Sequence, residues 1–418
     1  MTNLSASQIL SARLSALLLA DHDSTTVEHV VGWLGAMQGQ DLASVKWSLG
    51  LRLPELTEGD VDAAFEQGTV LRTWPMRGTI HLIASNDARW MLEAVGSRAL
   101  SGVEKRWDYL GLDRSTVESA GVILEQALVG GKRLTRSQCA DALNEAGIAT
   151  TGQRLYHLLW HSSQVGITCF GPSIGKEQTF VLLSEFAPEQ RVLVGDEALA
   201  ELAWYFVRGH GPIPAKDFAG WAGIAMGPAR KALAANVGRI REVESDAGAL
   251  WVADELASAI SVNGDLGFSK GILALPGFDE YMLGYKDRAL MLEPGSLQAV
   301  VPGNNGVFRS TIVDCGRVKG TWKRNATKRK VRIEVDAFED LTPEQASGFE
   351  LAAQHYGRFV GLEVEVGGDE QRVGVAAHDQ DPHGAASDAG DAEVAVGIHG
   401  HFGLDGQRLV GEVGGGER

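Results

Sequence analysis

The stretch Val70-Leu-Arg-Thr-Trp-Pro-Met-Arg-Gly-Thr-Ile-His-Leu-Ile83 decides the fold of the first part of the chain. Strand-forming residues flank a Pro-Met-Arg-Gly interruption at 75–78, and beyond it Thr79 and His81 alternate with apolar residues. Successive side chains of a strand point to opposite faces, so Thr79 and His81 share one face. The pattern predicts a β-hairpin whose polar face exposes these two residues.

Several helix boundaries precede this hairpin. Thr25-Thr-Val-Glu28 is a capping box that opens one helix, and Asp41 is a good N-cap for the next. A short helix then begins near Asp60 and ends at Gly68. Helices followed by a hairpin are typical of a winged-helix unit, which we place at residues 1–95.

The same order of predicted elements recurs twice without detectable residue identity. In residues 96–190 a second capping box, Thr135-Arg-Ser-Gln138, opens a helix, and two short strands follow a further helix. In residues 191–265 helical stretches precede two short strands at 240–243 and 250–252. The sequence therefore predicts three tandem winged-helix domains.

Short apolar runs separated by Gly, Asp and Asn characterise residues 266–366. They predict a small antiparallel β domain with a final helix that begins at Leu341-Thr-Pro-Glu344. Residues 367–418 contain thirteen Gly and few large apolar side chains, which is typical of a disordered, acidic tail. The expected fold class is therefore α+β.

The net charge of −16 argues against a nucleic-acid partner, because phosphate contacts need clustered Lys and Arg. The tail at 367–418 holds ten acids and three bases, however, so part of the acidity lies outside the predicted domains. The stretch 317–332 contains eight Lys or Arg and no acid. Since association depends on the local potential, one strongly basic hairpin is compatible with DNA binding.

The cysteines, histidines and apolar runs exclude several classes of protein. Cys139, Cys169 and Cys315 lie far apart and suggest neither a disulfide framework nor a zinc site. His157 and His161 have the spacing of a metal pair but no evident third ligand, so no metal and no cofactor is expected. The N-terminal apolar run is too short for a membrane span. We expect a cytoplasmic monomer without membrane contact.

Four stretches resemble the winged-helix DNA glycosylases of the AlkZ-like kind, in the same order and with approximately the same spacing. They are Gly35-Ala-Met-Gln-Gly-Gln-Asp41, Arg72-Thr-Trp-Pro-Met-Arg-Gly-Thr-Ile-His81, Pro276-Gly-Phe-Asp-Glu-Tyr-Met-Leu-Gly-Tyr-Lys-Asp-Arg288, and Gly303-Asn-Asn-Gly-Val-Phe-Arg-Ser-Thr-Ile-Val313 continuing to Gly316-Arg-Val-Lys-Gly-Thr-Trp322. The resemblance implies three winged-helix domains and a C-terminal β domain that form a concave DNA-binding surface. It also implies excision of alkylated or crosslinked purines.

The catalytic signature of that family is Gln-x-Gln or Gln-x-Asp near the end of a helix, and here it falls on Gln38 and Gln40. An N-alkylated purine already carries positive charge, so the enzyme mainly has to orient water and stabilise an oxocarbenium-like sugar, which two amides can do. Gly39 departs from the pattern, which has an aliphatic residue there. Alternatively, the glutamines are solvated residues at a helix end, or Asp41 activates the water, although an N-cap is its commoner role.

The same resemblance places the first hairpin beside the active site and makes it a candidate DNA-binding element. Arg77 would then bind a phosphate, with Thr79 beside it, and His81 would contact the nucleotide backbone. The alternative is a structural hairpin in which Arg77 pairs with a neighbouring acid and His81 packs against Trp74.

Basic residues surround Trp322 in the predicted β domain, and a basic hairpin with one aromatic residue suits contact with DNA phosphates. They are Lys319, Lys323, Arg324, Lys328, Arg329 and Lys330. A solvated strand face is the usual explanation of such a run, but no acid offsets this one, so DNA contact is favoured. Structural ion pairs are expected instead at Asp279, Glu280, Asp287 and Arg288.

Together these features predict a monofunctional DNA glycosylase that hydrolyses the N-glycosidic bond of N7- or N3-substituted or crosslinked purines. Its partner would be double-stranded DNA carrying alkylated bases, and no lysine nucleophile is evident. The alternative is a non-catalytic winged-helix DNA-binding protein or transcriptional regulator, which Gly39 and the net acidity favour. A protein-interaction scaffold would require the basic hairpin to be coincidental.

Overall fold

Three segments of helices followed by a hairpin occupy most of the chain, and each hairpin lies where the sequence predicts one. The computed structural model describes residues 3–246, 248–264, 266 and 271–367. The first segment consists of β1 (Asn3–Leu4), α1 (Ala6–Ala16), α2 (Val27–Leu34), β2 (Met37–Gln38), α3 (Leu42–Arg52), α4 (Glu58–Glu66), β3 (Val70–Met76) and β4 (Thr79–Ala84).

Local capping sets the ends of the helices that lead to the first hairpin. The Thr26 side chain accepts a hydrogen bond from the His29 N–H at 3.1 Å and so begins α2, one residue after the predicted cap. The same helix ends at Gly35, whose φ of 78° lies in the region that favours glycine. Asp41 accepts from the Ser44 N–H at 2.8 Å, so its prediction as an N-cap is confirmed.

The second segment begins with a π-helical turn between two short helices and ends with the second hairpin. The predicted capping box at Thr135 and Gln138 is confirmed. Its elements are α5 (Ala88–Met91), the π-helical turn (Leu92–Gly96), α6 (Ser97–Leu100), α7 (Glu104–Tyr109), α8 (Arg114–Leu128), β5 (Leu134–Thr135), α9 (Arg136–Glu145), α10 (Arg154–Gln164), β6 (Thr168–Ile174), β7 (Glu177–Leu182) and α11 (Leu183–Phe186).

The first two hairpins belong to one six-stranded sheet, in the order β2-β4-β3-β6-β7-β5. Their inner strands, β3 and β6, pair antiparallel where Arg72 faces Phe170. The pairing within each hairpin is irregular at the corresponding place, after Thr73 in the first and after Gly171 in the second. The sequence pattern predicted each hairpin but not their union in one sheet.

The third segment forms its own sheet with the N-terminus of the chain. Its elements are α12 (Gly195–His210), α13 (Ala215–Ala222), α14 (Met226–Ala234), β8 (Ile240–Ser245), β9 (Leu250–Ala253) and α15 (Asp254–Asn263). Strand β1 pairs parallel with β8, so the beginning of the chain completes the third segment.

The last sheet has five strands in sequence order, β10 to β14. Its first four strands are antiparallel as predicted, but β13 and β14 pair parallel. The reason is the 18-residue helix between them, which returns the chain to the end of the sheet where β13 began. The elements are β10 (Leu273–Leu275), α16 (Glu280–Leu283), α17 (Leu297–Val300), β11 (Ser310–Asp314), β12 (Arg317–Ala326), β13 (Lys330–Ala337), α18 (Pro343–Val360) and β14 (Glu363–Gly367).

The last sheet packs directly on the first segment through α3. The buried Trp47 ring donates from Nε1 to the Ala274 carbonyl oxygen at 2.8 Å, and its centroid lies 5.0 Å from that of Tyr356. Arg52 and Asp279, both fully buried, pair through two hydrogen bonds of 2.9 and 3.2 Å. These contacts fix α3, the helix that follows the region containing Gln38, against the last sheet.

The prediction of a mixed α+β fold is confirmed. The described residues belong to one compact unit, and the division at 95/96, 190/191 and 265/266 stays a prediction. Apart from Gly367, which ends β14, the tail predicted to be disordered lies outside the described residues. Of the helices that the structure describes, none combines the length and the apolarity needed to cross a membrane.

Candidate active site

Gln38 and Gln40 lie beyond α2, in and just after the short strand β2. Gln38 faces His81 across the β2–β4 pair, and its Nε2 donates to Gln40 Oε1 at 3.4 Å. Gln38 is half-buried and Gln40 is exposed. Within the described residues the buried Gln38 Oε1 has no hydrogen-bond partner. The alternative of two solvated residues at a helix end is therefore wrong for Gln38, because it is a partly buried strand residue.

Gly39, the departure from the family signature, lies tightly against β4. Its N–H donates to the Ile80 carbonyl oxygen at 2.9 Å. A Cβ at this position would lie 3.0 Å from the Leu82 nitrogen and 3.2 Å from the His81 carbonyl carbon. Backbone atoms cannot turn aside as a flexible side chain can, so glycine allows the two glutamines to approach the hairpin closely.

Glu280, at the start of α16, is the carboxylate of this site. Its Oε1 accepts the Gln38 N–H at 2.8 Å, and its Oε2 accepts from His210 Nε2 at 3.3 Å. Glu280 is 2% exposed and His210 is fully buried at the end of α12. Gln38, Glu280 and His210, from three distant parts of the sequence, thus meet in one place.

The structural ion pair expected at Asp279 is confirmed, but its partner is Arg52, which lies outside residues 279–288. Burial opposes ionisation of Asp279, but Arg52 beside it holds the pKa of that carboxyl below its usual range. Arg288 donates from Nε to the Met282 carbonyl oxygen at 2.7 Å. Glu280 faces the candidate active site instead. The sequence alone gave no reason to separate Glu280 from its acidic neighbour.

His81 is fully buried, so the expected exposed face of the first hairpin is wrong for this residue. Burial, with a contribution from Arg77, lowers the pKa of His81 to about 3, and the imidazole is therefore neutral at pH 7. Its Nδ1 donates to the Thr79 carbonyl oxygen at 3.0 Å, which leaves Nε2 as the acceptor for Arg77 Nη2 at 3.1 Å. A buried ring cannot contact a nucleotide backbone directly, so His81 orients Arg77.

Arg77 occupies the tip of the hairpin with a φ of 55°, in the left-handed region. Parts of the residue are exposed to solvent, but its side chain passes over Gly223, whose Cβ position would lie 3.0 Å from Arg77 Cγ. Burial of the guanidinium lowers its pKa and the negative charge of Glu280 opposes that shift. Glu280 is thus close enough to Arg77 for their opposite charges to attract. Thr79 is half-buried and its hydroxyl donates to the Met76 carbonyl oxygen at 3.4 Å.

The predicted basic hairpin corresponds to β12 and β13, and its charges have more partners than the sequence suggested. Lys330 pairs with Glu365 at 2.6 Å and with Glu363 at 3.8 Å, both on the neighbouring strand β14. The statement that no acid offsets this run is therefore wrong. The remaining candidates are divided between surface and packing positions. Lys323, Lys328 and Arg329 are exposed, whereas Lys319 and Arg324 are half-buried.

Trp322, which the basic residues surround in the sequence, is a core residue. It is 2% exposed and its Nε1 donates to the Leu275 carbonyl oxygen at 2.9 Å. Arg324 lies on the same side of the strand, with its guanidinium carbon 5.5 Å from the centroid of the Tyr356 ring. This part of the basic hairpin faces α18, and only its turn and outer face remain open to solvent.

His157 and His161 lie in the packing between α10 and its neighbours. Burial lowers the pKa of His157 to about 4, and the His161 ring packs edge-on against Trp107 with centroids 5.3 Å apart. Among the described residues, no three His, Cys, Asp or Glu side chains come together where a metal ion could be held.

The geometry therefore joins Gln38, Gln40 and Arg77, which the sequence predicted as site residues, to Glu280 and His210, which it did not. The pairing of Gln38 with Glu280 spans 242 positions, a distance over which no local pattern carries information. The arrangement offers two neutral amides, one carboxylate and one guanidinium. Such groups can orient water and stabilise positive charge beside a phosphate.

Comparison with known proteins shows the family of the chain. The sequence matches the family described as DNA glycosylase AlkZ-like over residues 31–359, which include all the site residues just described. A Streptomyces sahachiroi protein named interstrand DNA cross-link repair glycosylase is 24% identical over 370 residues, covering 85% of this chain and 96% of that protein. The solved structure of the Streptomyces sahachiroi DNA glycosylase AlkZ has a similar fold, with a TM-score of 0.72 and 23% identity over 87% of this chain and 100% of that one. The chain belongs to the AlkZ-like DNA glycosylase family.

Proposed function

We propose that this glycosylase hydrolyses the N-glycosidic bond of alkylated or crosslinked purines in duplex DNA and leaves an abasic site. The observation that carries the proposal is the pair of adjacent amides, Gln38 and Gln40, of which the first is held from behind by a buried carboxylate. The Streptomyces relative is named for repair of interstrand crosslinks, which supports a crosslinked purine as one substrate.

The chemistry of an N7- or N3-alkylated purine explains why neutral amides suffice. The alkylated base is already cationic and leaves without strong protonation, so the main demand is on the sugar, which develops positive charge. Gln38 Oε1, buried and without a partner in the described part of the chain, is an acceptor that can orient the attacking water. Removing one such preorganised group typically slows an enzyme by about 10²–10³-fold.

Hydrolysis rather than lyase chemistry is favoured by the state of the nearest lysine in the sequence. Lys46 Nζ lies 3.1 Å from Glu58 Oε1 and 2.7 Å from Asp62 Oδ1. An ammonium paired with two carboxylates is not a nucleophile for the sugar carbon. Lys46 is therefore not a lyase nucleophile, and the proposed reaction ends at base release.

Arg77 and the open part of the basic hairpin are the proposed contacts to the DNA backbone. Neutral His81, which faces Gln38 across β2 and β4, orients Arg77 at the tip of the same hairpin. Lys323, Lys328 and Arg329 are exposed and suited to phosphates farther along the duplex. The three helix-and-hairpin segments act as tandem winged-helix units in this arrangement.

The direct test is release of 7-methylguanine from methylated duplex DNA by the purified full chain. We expect Gln38→Ala and Gln40→Ala each to slow release by about 10²-fold or more while DNA affinity is retained. Gln298→Ala, which changes an exposed glutamine outside the site, is the matched control and should leave the rate unchanged. If no 7-methylguanine is released from methylated DNA, the same variants are tested on a duplex with a purine interstrand crosslink. Salt-dependent DNA binding without release from either substrate would contradict the proposal and favour a non-catalytic regulator.

A further inference from the structure

Glu280 and His210 form a buried pair directly behind Gln38, and the catalytic proposal alone gives them no role. The carboxylate accepts the Gln38 N–H with one oxygen and the His210 Nε2–H with the other, at 2.8 and 3.3 Å. Both residues are almost completely shielded from solvent. A buried carboxylate is costly to desolvate, so its presence here calls for compensating contacts.

The surroundings of His210 fix the ring in one place. It stacks on Phe206 with centroids 4.4 Å apart, and its Nδ1 lies 3.2 Å from the Phe206 carbonyl oxygen. The Tyr285 hydroxyl donates to the His210 carbonyl oxygen at 2.8 Å. A Cβ at Gly284 would collide with the imidazole, so the chain passes as closely as glycine allows. The ring therefore provides a rigid support for Glu280.

Contacts on two sides define the position of Gln38. Glu280 holds its N–H from behind, and the β2–β4 pairing sets it opposite His81. Arg77, oriented by His81, lies close enough to Glu280 for their opposite charges to attract. The position of the Gln38 backbone is thus fixed before any substrate arrives. A misplacement of about 1 Å in the side chain that it carries can cost about 10²-fold in rate.

We propose that Glu280, supported by His210, is a positioning residue of the glycosylase reaction that fixes the backbone of Gln38 and thereby aims its side-chain amide at the damaged nucleotide. This inference rests on the proposed role of Gln38 as a catalytic residue. Glu280 acts through Gln38, so its effect on the rate disappears when the Gln38 amide is absent.

A double-mutant cycle in single-turnover base release tests the coupling. Glu280→Ala is expected to slow release by about 10²-fold with unchanged affinity for undamaged duplex. Glu280→Gln keeps an oxygen acceptor for the Gln38 N–H and should stay within about tenfold of the wild type. On a Gln38→Ala background, Glu280→Ala should change the remaining rate by less than about threefold. Glu185→Ala removes a carboxylate that accepts two backbone N–H groups far from the site, and it serves as the matched control.

Distinct results overturn the positioning role and the proposed function. If the wild type releases no base from either substrate, the proposed glycosylase function is contradicted. If the wild type is active, two results contradict the positioning role. One is a double variant in which the rate losses of Glu280→Ala and Gln38→Ala multiply. The other is a Glu280→Ala variant that retains the wild-type rate. If Glu280→Ala unfolds, two substitutions of His210 decide. His210→Gln keeps a donor toward Glu280 and should be about tenfold faster than His210→Leu, and equal rates would overturn the inference.

Discussion

The first and second hairpins share a backbone pattern but differ in almost every contact at their tips. Thr73 faces His81 in the first and Gly171 faces Thr179 in the second, and in both the regular pairing is interrupted for the next two residues. The two hairpins meet across β3 and β6 in one sheet. The same local geometry therefore occurs twice, side by side.

The tips of the hairpins have different surroundings. All of β3 is buried, and its tip at Arg77 packs over Gly223. In β6 burial ends before the turn, where Ile174 is 52% exposed and a Cβ at Gly175 would meet open space. A shared backbone thus supports a candidate active site in one hairpin and a free end in the other, because the side chains and their partners differ.

The largest difference is expected in the free energy of unfolding when His81 and Thr179, which occupy corresponding positions in the two hairpins, are each replaced by alanine. His81→Ala leaves a cavity and removes the acceptor of Arg77, so the free energy of unfolding should fall by about 3 kcal/mol. Thr179→Ala removes one hydrogen bond, from its hydroxyl to the Pro172 carbonyl oxygen at 2.7 Å, and should cost about 1 kcal/mol. Urea unfolding of both variants measures the two losses. Losses of equal size would contradict the difference between the hairpins.

A smaller effect on the free energy of unfolding is expected from pH. Of the two positions, only His81 contributes to it. The folded protein keeps His81 neutral down to about pH 3, whereas the unfolded chain binds a proton below about pH 6.5. Acidification therefore favours unfolding, and from pH 7 to pH 5 His81 should lower the free energy of unfolding by about 2 kcal/mol. The buried His157, with a pKa of about 4, adds a similar dependence in every variant.

Urea unfolding at several pH values isolates the share of His81. His81→Gln should have a shallower dependence on pH than the wild type, by about 2 kcal/mol over this range. Thr179→Ala should keep the wild-type dependence, because threonine does not ionise in this range. If His81→Gln has the same pH dependence as the wild type, the His81 ring takes up its proton over the same pH range in the folded and unfolded states, which would contradict the prediction.

The smallest effect is expected on DNA binding, when basic residues at the tips of the two hairpins are replaced. Arg77→Ala should weaken binding to damaged duplex by about tenfold and reduce the salt dependence by about one phosphate contact. Lys176→Ala removes a basic residue from the free tip of the second hairpin and should weaken binding less. Fluorescence anisotropy over a range of salt concentrations compares the two. Equal losses would mean that both tips contact the backbone in the same way.

Local chemistry made the elements predictable, since the information is contained within a few neighbouring residues. The N-cap at Asp41 and the capping box at Thr135 depend on contacts within four positions, and both are found. The alternation around residues 70–83 likewise gives the first hairpin. The mixed α+β class follows from such short patterns.

The tertiary partners of polar residues were not predictable in this way. Alternation placed His81 and Thr79 on one face but could not show that Arg77 and the rest of the protein cover His81. Lys330 seemed to lack an acid because Glu363 and Glu365 are contributed by a strand beyond the final helix. The family resemblance located Gln38 and Gln40, but it gave no role to Glu280.

The bond between Gln38 and Glu280 also bears on when the enzyme becomes complete during its synthesis. The two residues are 242 positions apart. At about 5–20 residues per second, a ribosome adds Glu280 roughly 10–50 s after Gln38. Throughout that interval the nascent chain carries both glutamines without the carboxylate that aligns one of them. We therefore expect a truncated translation product ending before residue 280 to hold the proposed catalytic glutamines in an unaligned form.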